Sequence, residues 1–295
     1  MAGYYIYKLV LLICRTFSRK QVYKIADAVG YLTYLLAPRG PRSCRKNLRT
    51  ILGPGQPYRR INRLAIETYK NFSRFIGDFF SFPVMGPDYI EKNIRLNNIE
   101  ALRSEYEKGR GVIIVSAHMA NWEIGGHVFS TMGFPMYAVA LAHEDPKVND
   151  LFIQMRHQMG VNVIDLNDSK GLLFNKLRQG NILAIIGERI YTSEAGIEVR
   201  LCGKPVMIPT GAYRLSIRTG APIVPVLGYK DEKELFHIEI KDPIHPSGRK
   251  GRKEIKRMAD EWVRVFENNL RAHPEQWFTF FSFWDVQAPP KNRSE

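Results

Sequence analysis

Cysteine is scarce in this chain: Cys14, Cys44 and Cys202 are the only three in 295 residues. They are too few and too scattered for a disulfide framework, and no CxxC pair or Cys/His cluster with zinc-ligand spacing accompanies them, so a reducing compartment and no bound metal are expected. Long hydrophobic runs are also missing. The apolar stretch LVLLIC (9–14) is bracketed by Lys8 and Arg15 and falls far short of the roughly 20 residues that span a bilayer as a helix. No cleavage-site pattern follows it, so no signal peptide is expected. GxSxG, GxGxxG, GxxxxGK[ST] and HExxH are all absent, which removes the usual support for a serine-hydrolase elbow, a dinucleotide fold, a P-loop and a zinc peptidase. There is no internal repeat, low-complexity tract or clear linker.

Acidic residues are in the minority, 29 against 43 lysines and arginines, for a net charge of +14. Such an excess points to a partner carrying negative charge: nucleic acid, anionic lipid or a phosphorylated substrate. A basic surface kept only for solubility is the plain alternative. With 45% apolar residues the chain can bury a real core, and disordered and fibrous classes are excluded.

Along the chain, residues 3–37 alternate apolar stretches with single cations. Val22, Ile25, Ala26, Val29, Leu32, Leu35 and Leu36 recur at the three- and four-residue spacing of an amphipathic helix. Pro38 stops it, and Arg39, Arg42, Arg45, Lys46 and Arg49 follow as a basic patch. An apolar helix beside clustered cations fits a segment lying in the headgroup plane of a membrane, and it fits equally a core helix followed by a solvated loop. A second helical stretch, 57–83, carries Phe72, Phe75, Phe79, Phe80 and Phe82 largely on one face, where they would pack in a core or line an acyl groove rather than stack on bases.

From residue 111 the texture changes. Short apolar runs at 111–117, 136–142, 181–187, 205–209 and 222–229 are separated by helical stretches near 121–131, 146–158, 169–179 and 210–219. Strands alternating with helices predict an α/β fold, a mostly parallel central sheet covered on both faces. LFHIEIK (235–241) alternates and is expected toward an edge, and 251–272 reads as a long, charged final helix.

In open α/β sheets reactive groups gather where strands end and helices begin, and that is where His118 falls. VIIVSAHMANWEIGG runs from a strand into His118 and then into a helix holding Asn121, Trp122 and Glu123. With His118 ahead of the first turn, Glu123 could reach its ring, as suits a general base held in one tautomer by a carboxylate. The helix N-terminus would add backbone N–H donors for a developing oxyanion. The spacing alone decides nothing, because roughly one such pair arises by chance. His237 and Asp242 repeat it in and after an alternating strand, where a structural or exposed histidine is the better reading. A purely structural histidine stays open for His118 too. A histidine base with no adjacent nucleophile points to direct attack by a substrate hydroxyl.

These features together resemble the lipid A late acyltransferases of the glycerolipid acyltransferase superfamily, which add secondary acyl chains. The resemblance covers nearly the whole chain. It runs through RKNL (45–48), AHMANWE (117–123), Arg156, IIGER (185–189), CGKPVMIPTGAYRLSIRTGAPIVPV (202–226) and HPEQWF (273–278). It implies a glycerol-3-phosphate acyltransferase-like α/β domain over 51–295 behind an N-terminal membrane-associating helical segment, 1–50. It implies His118 as the base that deprotonates the acceptor hydroxyl, with Glu123 as its orienting partner. Arg156 corresponds to an arginine that steadies phosphate or the acyl donor, Glu188 to a position that is usually aspartate, and Arg189 offers an alternative phosphate contact. The tail departs from the family's basic, tryptophan-containing one: TFFSFWD (279–285) follows QWF.

The function implied is O-acyl transfer from an acyl carrier protein or coenzyme A thioester to a hydroxyl of a lipid A precursor. No cofactor beyond that co-substrate is needed. Acyl carrier protein and anionic membrane lipid would be its partners, at the cytoplasmic face of a bacterial inner membrane, peripheral or monotopic. Another glycolipid or a lysophospholipid is the alternative acceptor. A nucleic-acid-binding domain would need its cations along one groove with interleaved aromatics, not clustered around an apolar N-terminal helix.

Overall fold

The computed structural model describes residues 2–167, 171–190 and 196–289. Helices α1 (Ala2–Thr16), α2 (Arg19–Leu36), α3 (Gly40–Leu52) and α4 (Tyr58–Ser81) come first. Then follow α5 (Pro87–Asn93), β1 (Ile94–Asn97), α6 (Ile99–Tyr106), β2 (Val112–Ser116), α7 (Trp122–Thr131), β3 (Met136–Ala140), α8 (Pro146–Gln158), β4 (Asn162–Asp165), α9 (Leu172–Arg178) and β5 (Ile182–Ile186). The chain continues with β6 (Ile197–Leu201), β7 (Lys204–Ile208), α10 (Gly211–Thr219), β8 (Ile223–Lys230), β9 (Phe236–Ile240), α11 (Arg252–Ala272) and α12 (Phe283–Val286).

Seven strands form one sheet in the order β1-β9-β8-β2-β5-β3-β4. The five from β8 to β4 are parallel, as the strand–helix alternation predicts. β2 is VIIVS, β-branched and buried on both faces over its first four residues, the composition that parallel strands covered by helices require. Gly111 precedes it at φ 70°, and a Cβ there would stand 2.5 Å from the carbonyl oxygen of Leu177, so glycine is required at this turn.

LFHIEIK supplies β9, which lies toward an edge as expected and runs antiparallel to β8. β1 covers it, pairing Ile94 with Phe236 through Asn97 with Glu239. β1 is only four residues long, too short to register as an alternating pattern. The run at 205–209 does not join the main sheet. β7 forms a separate hairpin with β6 around Cys202 and Gly203, both at positive φ, the backbone that a two-residue primed turn needs. The basic stretch after Pro38 is itself helical: α3 buries Cys44, Leu48 and Ile51 while Arg42 and Arg49 face outward and Arg45 donates to Tyr34 Oη at 2.6 Å. The expected boundary at residue 50 falls inside that helix. The first residues of the helix expected near 169–179 lie outside the described residues, and α9 is observed from Leu172. α11 is followed by the short α12, so it is not the final helix.

The sheet separates two cores. On one side α10, α11, the β6–β7 hairpin and the C-terminal segment bury Trp262, Phe266, Trp277, Phe283 and Trp284 against Ile113, Val115 and Leu183. On the other, α1, α4, α7 and α8 bury Phe79, Phe80, Phe129 and Phe152 against Val112, Ile114 and Val224. Phe75, Phe79, Phe80 and Phe82 are buried, with Phe79 stacked on Phe152 at 5.0 Å, so this aromatic face is packing. A third cluster joins α2, α3 and α4 through Tyr34, Cys44, Leu48, Ile61, Ala65 and Tyr69.

α2 begins at Ser18, whose N–H donates to Gln21 Oε1 at 3.0 Å, a capping arrangement. It ends where Pro38 forces Ala37 into extended backbone (ψ 126°). It crosses α4 so closely that a Cβ on Gly30 would lie 2.7 Å from Lys70 Cα. At the same crossing, Tyr23 donates to both oxygens of buried Asp78 at 2.7 Å. Arg19 pairs with Asp78 at 3.5 Å, and Lys230 of β8 donates to Tyr23 Oη at 3.0 Å. The outward faces of the first two helices stay apolar: Tyr5, Ile6, Leu9 and Leu12 on α1 and Val29, Leu32, Leu35 and Leu36 on α2 are each half or more exposed. Among the described residues no helix is long and apolar enough to cross a membrane.

Candidate active site

The site is assembled by the pairing of β2 with β5. Their parallel register matches Ser116 with Ile186, and two residues beyond each stand His118 and Glu188. Side chains two positions apart on a strand share a face, so the residues just past these neighbouring strand ends meet. His118 Nδ1 lies 2.6 Å from Glu188 Oε1, and the backbone N–H of His118 donates to the same oxygen at 3.1 Å. Arg189 Nε pairs with it at 3.1 Å. Glu188 is fully buried, whereas the His118 side chain keeps about a fifth of its surface exposed (21%). Burial pushes the Glu188 carboxyl up, but the His118 and Arg189 charges and the two bonds from His118 outweigh this and hold it at about 2. An ionised carboxylate can only accept, so Nδ1 carries the proton and the basic lone pair of the neutral ring lies on Nε2.

Glu123 does not fill the place expected of it. α7 is capped by Asn121, whose side chain accepts the N–H of Ile124 at 3.3 Å. Glu123, in the first turn, meets α8 rather than the histidine ring at Nδ1. Arg156 grips it in a fork, Nη2 to Oε1 at 2.7 Å and Nε to Oε2 at 3.1 Å. Burial works against the Arg156 charge, but the Glu123 carboxylate outweighs it and raises its pKa. So the structure makes two pairs from the sequence-derived residues: His118 with Glu188, and Glu123 with Arg156. The carboxylate bonded to His118 Nδ1 is that of Glu188.

Other side chains complete the surroundings. Trp122 turns an edge to the His118 ring, centroids 5.0 Å apart, and stacks on Phe75 of α4 at 4.3 Å and 23°. The segment after α11 packs on the same rings, Phe278 against Trp122 at 6.2 Å and Phe75 at 5.7 Å. Phe278 N–H donates to His118 O at 2.9 Å, and Ala120 N–H to Gln276 O at 2.8 Å. Ala120 sits at φ 49°, a left-handed conformation that costs a non-glycine residue about 1 kcal/mol and is held here by that bond. The Gln276 amide exchanges two 2.8 Å bonds with the backbone of Lys230, and Arg189 Nη2 donates to Phe278 O at 2.6 Å and Thr279 Oγ1 at 2.7 Å. The HPEQWF motif marks this segment in the sequence, but nothing in it announces these partners.

A cavity of about 490 Å³ reaches Gly187 and Arg189, on either side of Glu188. Val115, Val139, Leu173 and Leu215 wall it, with Arg214 and Arg218 among its lining. A groove of about 580 Å³ between α2 and α4, lined by Tyr31, Tyr58, Arg59 and Lys70 among others, contains none of the site residues. His237, the other histidine with an acid five residues on, is bonded through Nε2 to Asp231 Oδ2 at 2.9 Å and stacked on Tyr229, as a structural histidine would be.

The chain is 22% identical over 268 residues to the phosphatidylinositol mannoside acyltransferase of Mycobacterium tuberculosis strain CDC 1551, an alignment covering 89% of this chain and 83% of that protein. It is 22% identical over 261 residues to the protein of the same name from Mycolicibacterium smegmatis, covering 86% and 83%. Residues 1–285 match the family described as bacterial lipid A biosynthesis acyltransferase, and the chain belongs to that acyltransferase family.

Proposed function

We propose that the protein transfers a fatty acyl chain from a carrier thioester to a hydroxyl of a membrane glycolipid, with His118 as general base. The observation that carries this reading is the His118–Glu188 pair: a partly exposed imidazole whose Nδ1 is bonded to an ionised, buried carboxylate. His118 Nε2 takes the hydroxyl proton as the alkoxide attacks the thioester carbonyl. Glu188 stabilises the imidazolium through Nδ1, and the departing thiolate receives the proton from Nε2, leaving an ester and a free thiol. General-base assistance of this kind contributes about 10²–10⁴ in rate.

The cavity beside Glu188 has apolar walls suited to an alkyl chain, and Arg214 and Arg218 in its lining suit the phosphate of a phosphopantetheine arm, whether it is carried by acyl carrier protein or coenzyme A. Arg156, which the resemblance makes a phosphate contact, is held in a fork by Glu123 and is 13% exposed, so its proposed part is to brace α7 against α8 beside the site. The +14 charge supports an acidic carrier protein and anionic lipid as partners. The exposed apolar faces of α1 and α2, interrupted by cations such as Lys8, Arg15, Lys20 and Lys24, support peripheral attachment to a bacterial inner membrane on its cytoplasmic face.

The acceptor has two forms. The family favours a lipid A precursor; the relatives, by their names, favour a mannosylated phosphatidylinositol. Purified protein is to be assayed with acyl-carrier and acyl-coenzyme A thioesters of several lengths against both acceptors. Esterification of at least one acceptor by the wild type and none by His118→Ala, at unchanged melting temperature, is the expected result. Near-normal transfer by that variant would remove His118 from the mechanism.

A further inference from the structure

The resemblance allows Arg189 to be a phosphate contact, but its bonds engage it elsewhere. Its side chain is only 11% exposed. Nε faces Glu188 at 3.1 Å, Nη2 is committed to Phe278 O and Thr279 Oγ1, and the guanidinium lies over the Phe281 ring at 5.4 Å. Thr279 is buried. The same short segment bonds the backbone of His118 and of Ala120. Base, carboxylate, guanidinium and segment 276–279 thus form a closed ring of contacts: His118 to Glu188, Glu188 to Arg189, Arg189 to Phe278 and Thr279, and Phe278 back to His118.

We propose that Arg189, although it borders the cavity beside Glu188, is a positioning residue, which clasps Glu188 to the Phe278–Thr279 backbone and so fixes the carboxylate against His118. This rests on His118 acting as the base. A guanidinium suits the task because its planar fork can serve a carboxylate with one nitrogen and a carbonyl and hydroxyl with another, which a lysine ammonium cannot do in one geometry. Charged groups on the neighbouring elements are committed elsewhere: Glu123 of α7 and Arg156 of α8 to each other, and Lys230 of β8 to Glu234 and Tyr23. Arg214 and Arg218 border the same cavity, and among the described residues Arg189 is the guanidinium within ion-pair distance of Glu188.

The test is steady-state acyl transfer from an acyl-carrier thioester across pH for wild type, Arg189→Gln, Arg189→Lys and Thr279→Val, with melting curves for each. Arg189→Gln is expected to lower kcat about 10- to 100-fold, in the range seen when partners behind a functional group are removed. The KM of donor and acceptor should stay within about twofold. Loss of a cation beside the pair favours its protonated state, so the acid limb of kcat/KM moves to higher pH by about half a unit or more. Arg189→Lys keeps the charge and loses the fork, and should lower kcat with a smaller displacement of the limb. Thr279→Val should lower kcat a few-fold with KM unchanged.

A raised KM with an unmoved acid limb in Arg189→Gln would overturn the proposal in favour of a substrate contact, and full activity would overturn it outright. If Arg189→Gln does not fold, the other two variants decide: reduced kcat at constant KM in both supports the clasp, and wild-type kcat in both overturns it. Failure of the underlying base reading shows separately, as activity retained by His118→Ala.

Discussion

Phe75 lies flat against Trp122, ring centroids 4.3 Å apart, and Trp122 in turn sets its edge on the His118 imidazole. A helix packed under α2 is thereby connected to the proposed base through two rings. Phe75→Leu keeps most of the buried volume and loses the stack, which is worth about 0.5–1.5 kcal/mol beyond area. Expected are a drop in stability of that size by denaturant titration and a kcat lowered more than KM.

Glu188 predicts a pH dependence of stability. Its folded value, about 2, lies below the ordinary 4.5. A depressed carboxyl stabilises the fold above its unfolded pKa, and that contribution disappears as pH falls through the folded one. Between about pH 4.5 and 2 the wild type should therefore lose on the order of 3 kcal/mol through this group. Glu188→Gln should flatten this part of the curve in urea titrations at successive pH values; an unchanged slope would contradict the assignment.

Asp78 tests the hub between α2, α4 and β8. Removing one member of a buried charged network leaves the others uncompensated, typically at about 3–5 kcal/mol. Asp78→Ala should destabilise by that order, since Arg19, Tyr23 and Lys230 all converge on it or on each other. Replacing an exposed pair such as Lys46–Asp285 should cost less than about 1 kcal/mol. Chemical denaturation of the two variants in parallel separates the cases.

The apolar outer faces of α1 and α2 predict vesicle binding. Leu9→Glu and Leu32→Glu, both at exposed positions, should leave the melting temperature within about a degree of wild type, as surface changes do. They should weaken co-sedimentation with anionic vesicles several-fold. Retention of wild-type binding by the double variant would remove these helices as the contact.

The order of strands and helices from residue 111 onward was legible because parallel strands buried on both faces are continuous apolar runs, and turns interrupt them. β1, β4 and β6 were not: the first two are four residues long, and β6 alternates with exposed Glu198 and Arg200, which hides it among polar segments. His118 could be found from its place after β2. Its carboxylate could not be chosen by proximity in sequence, because Glu123 is five residues away and Glu188 seventy, and only the strand pairing makes the distant one adjacent. A signal was present, since both runs, GVIIVSAH and NILAIIGER, carry an ionisable residue just past their last apolar position. Two neighbouring parallel strands put such residues side by side. Arg189's bonds to Phe278 and Thr279 were beyond reach, as they depend on how the segment after α11 folds back.

Because the imidazole of His118 and the carboxylate of Glu188 follow separate strands, their meeting depends on alignment along the whole length of β2 and β5. Sliding one strand by a single position would turn its apolar side chains to the opposite face and carry the glutamate away from the imidazole. A misaligned sheet would thus be inert as well as unstable, and turnover per molecule is a sensitive gauge of whether a preparation, or a redesigned core, has closed its ladder correctly.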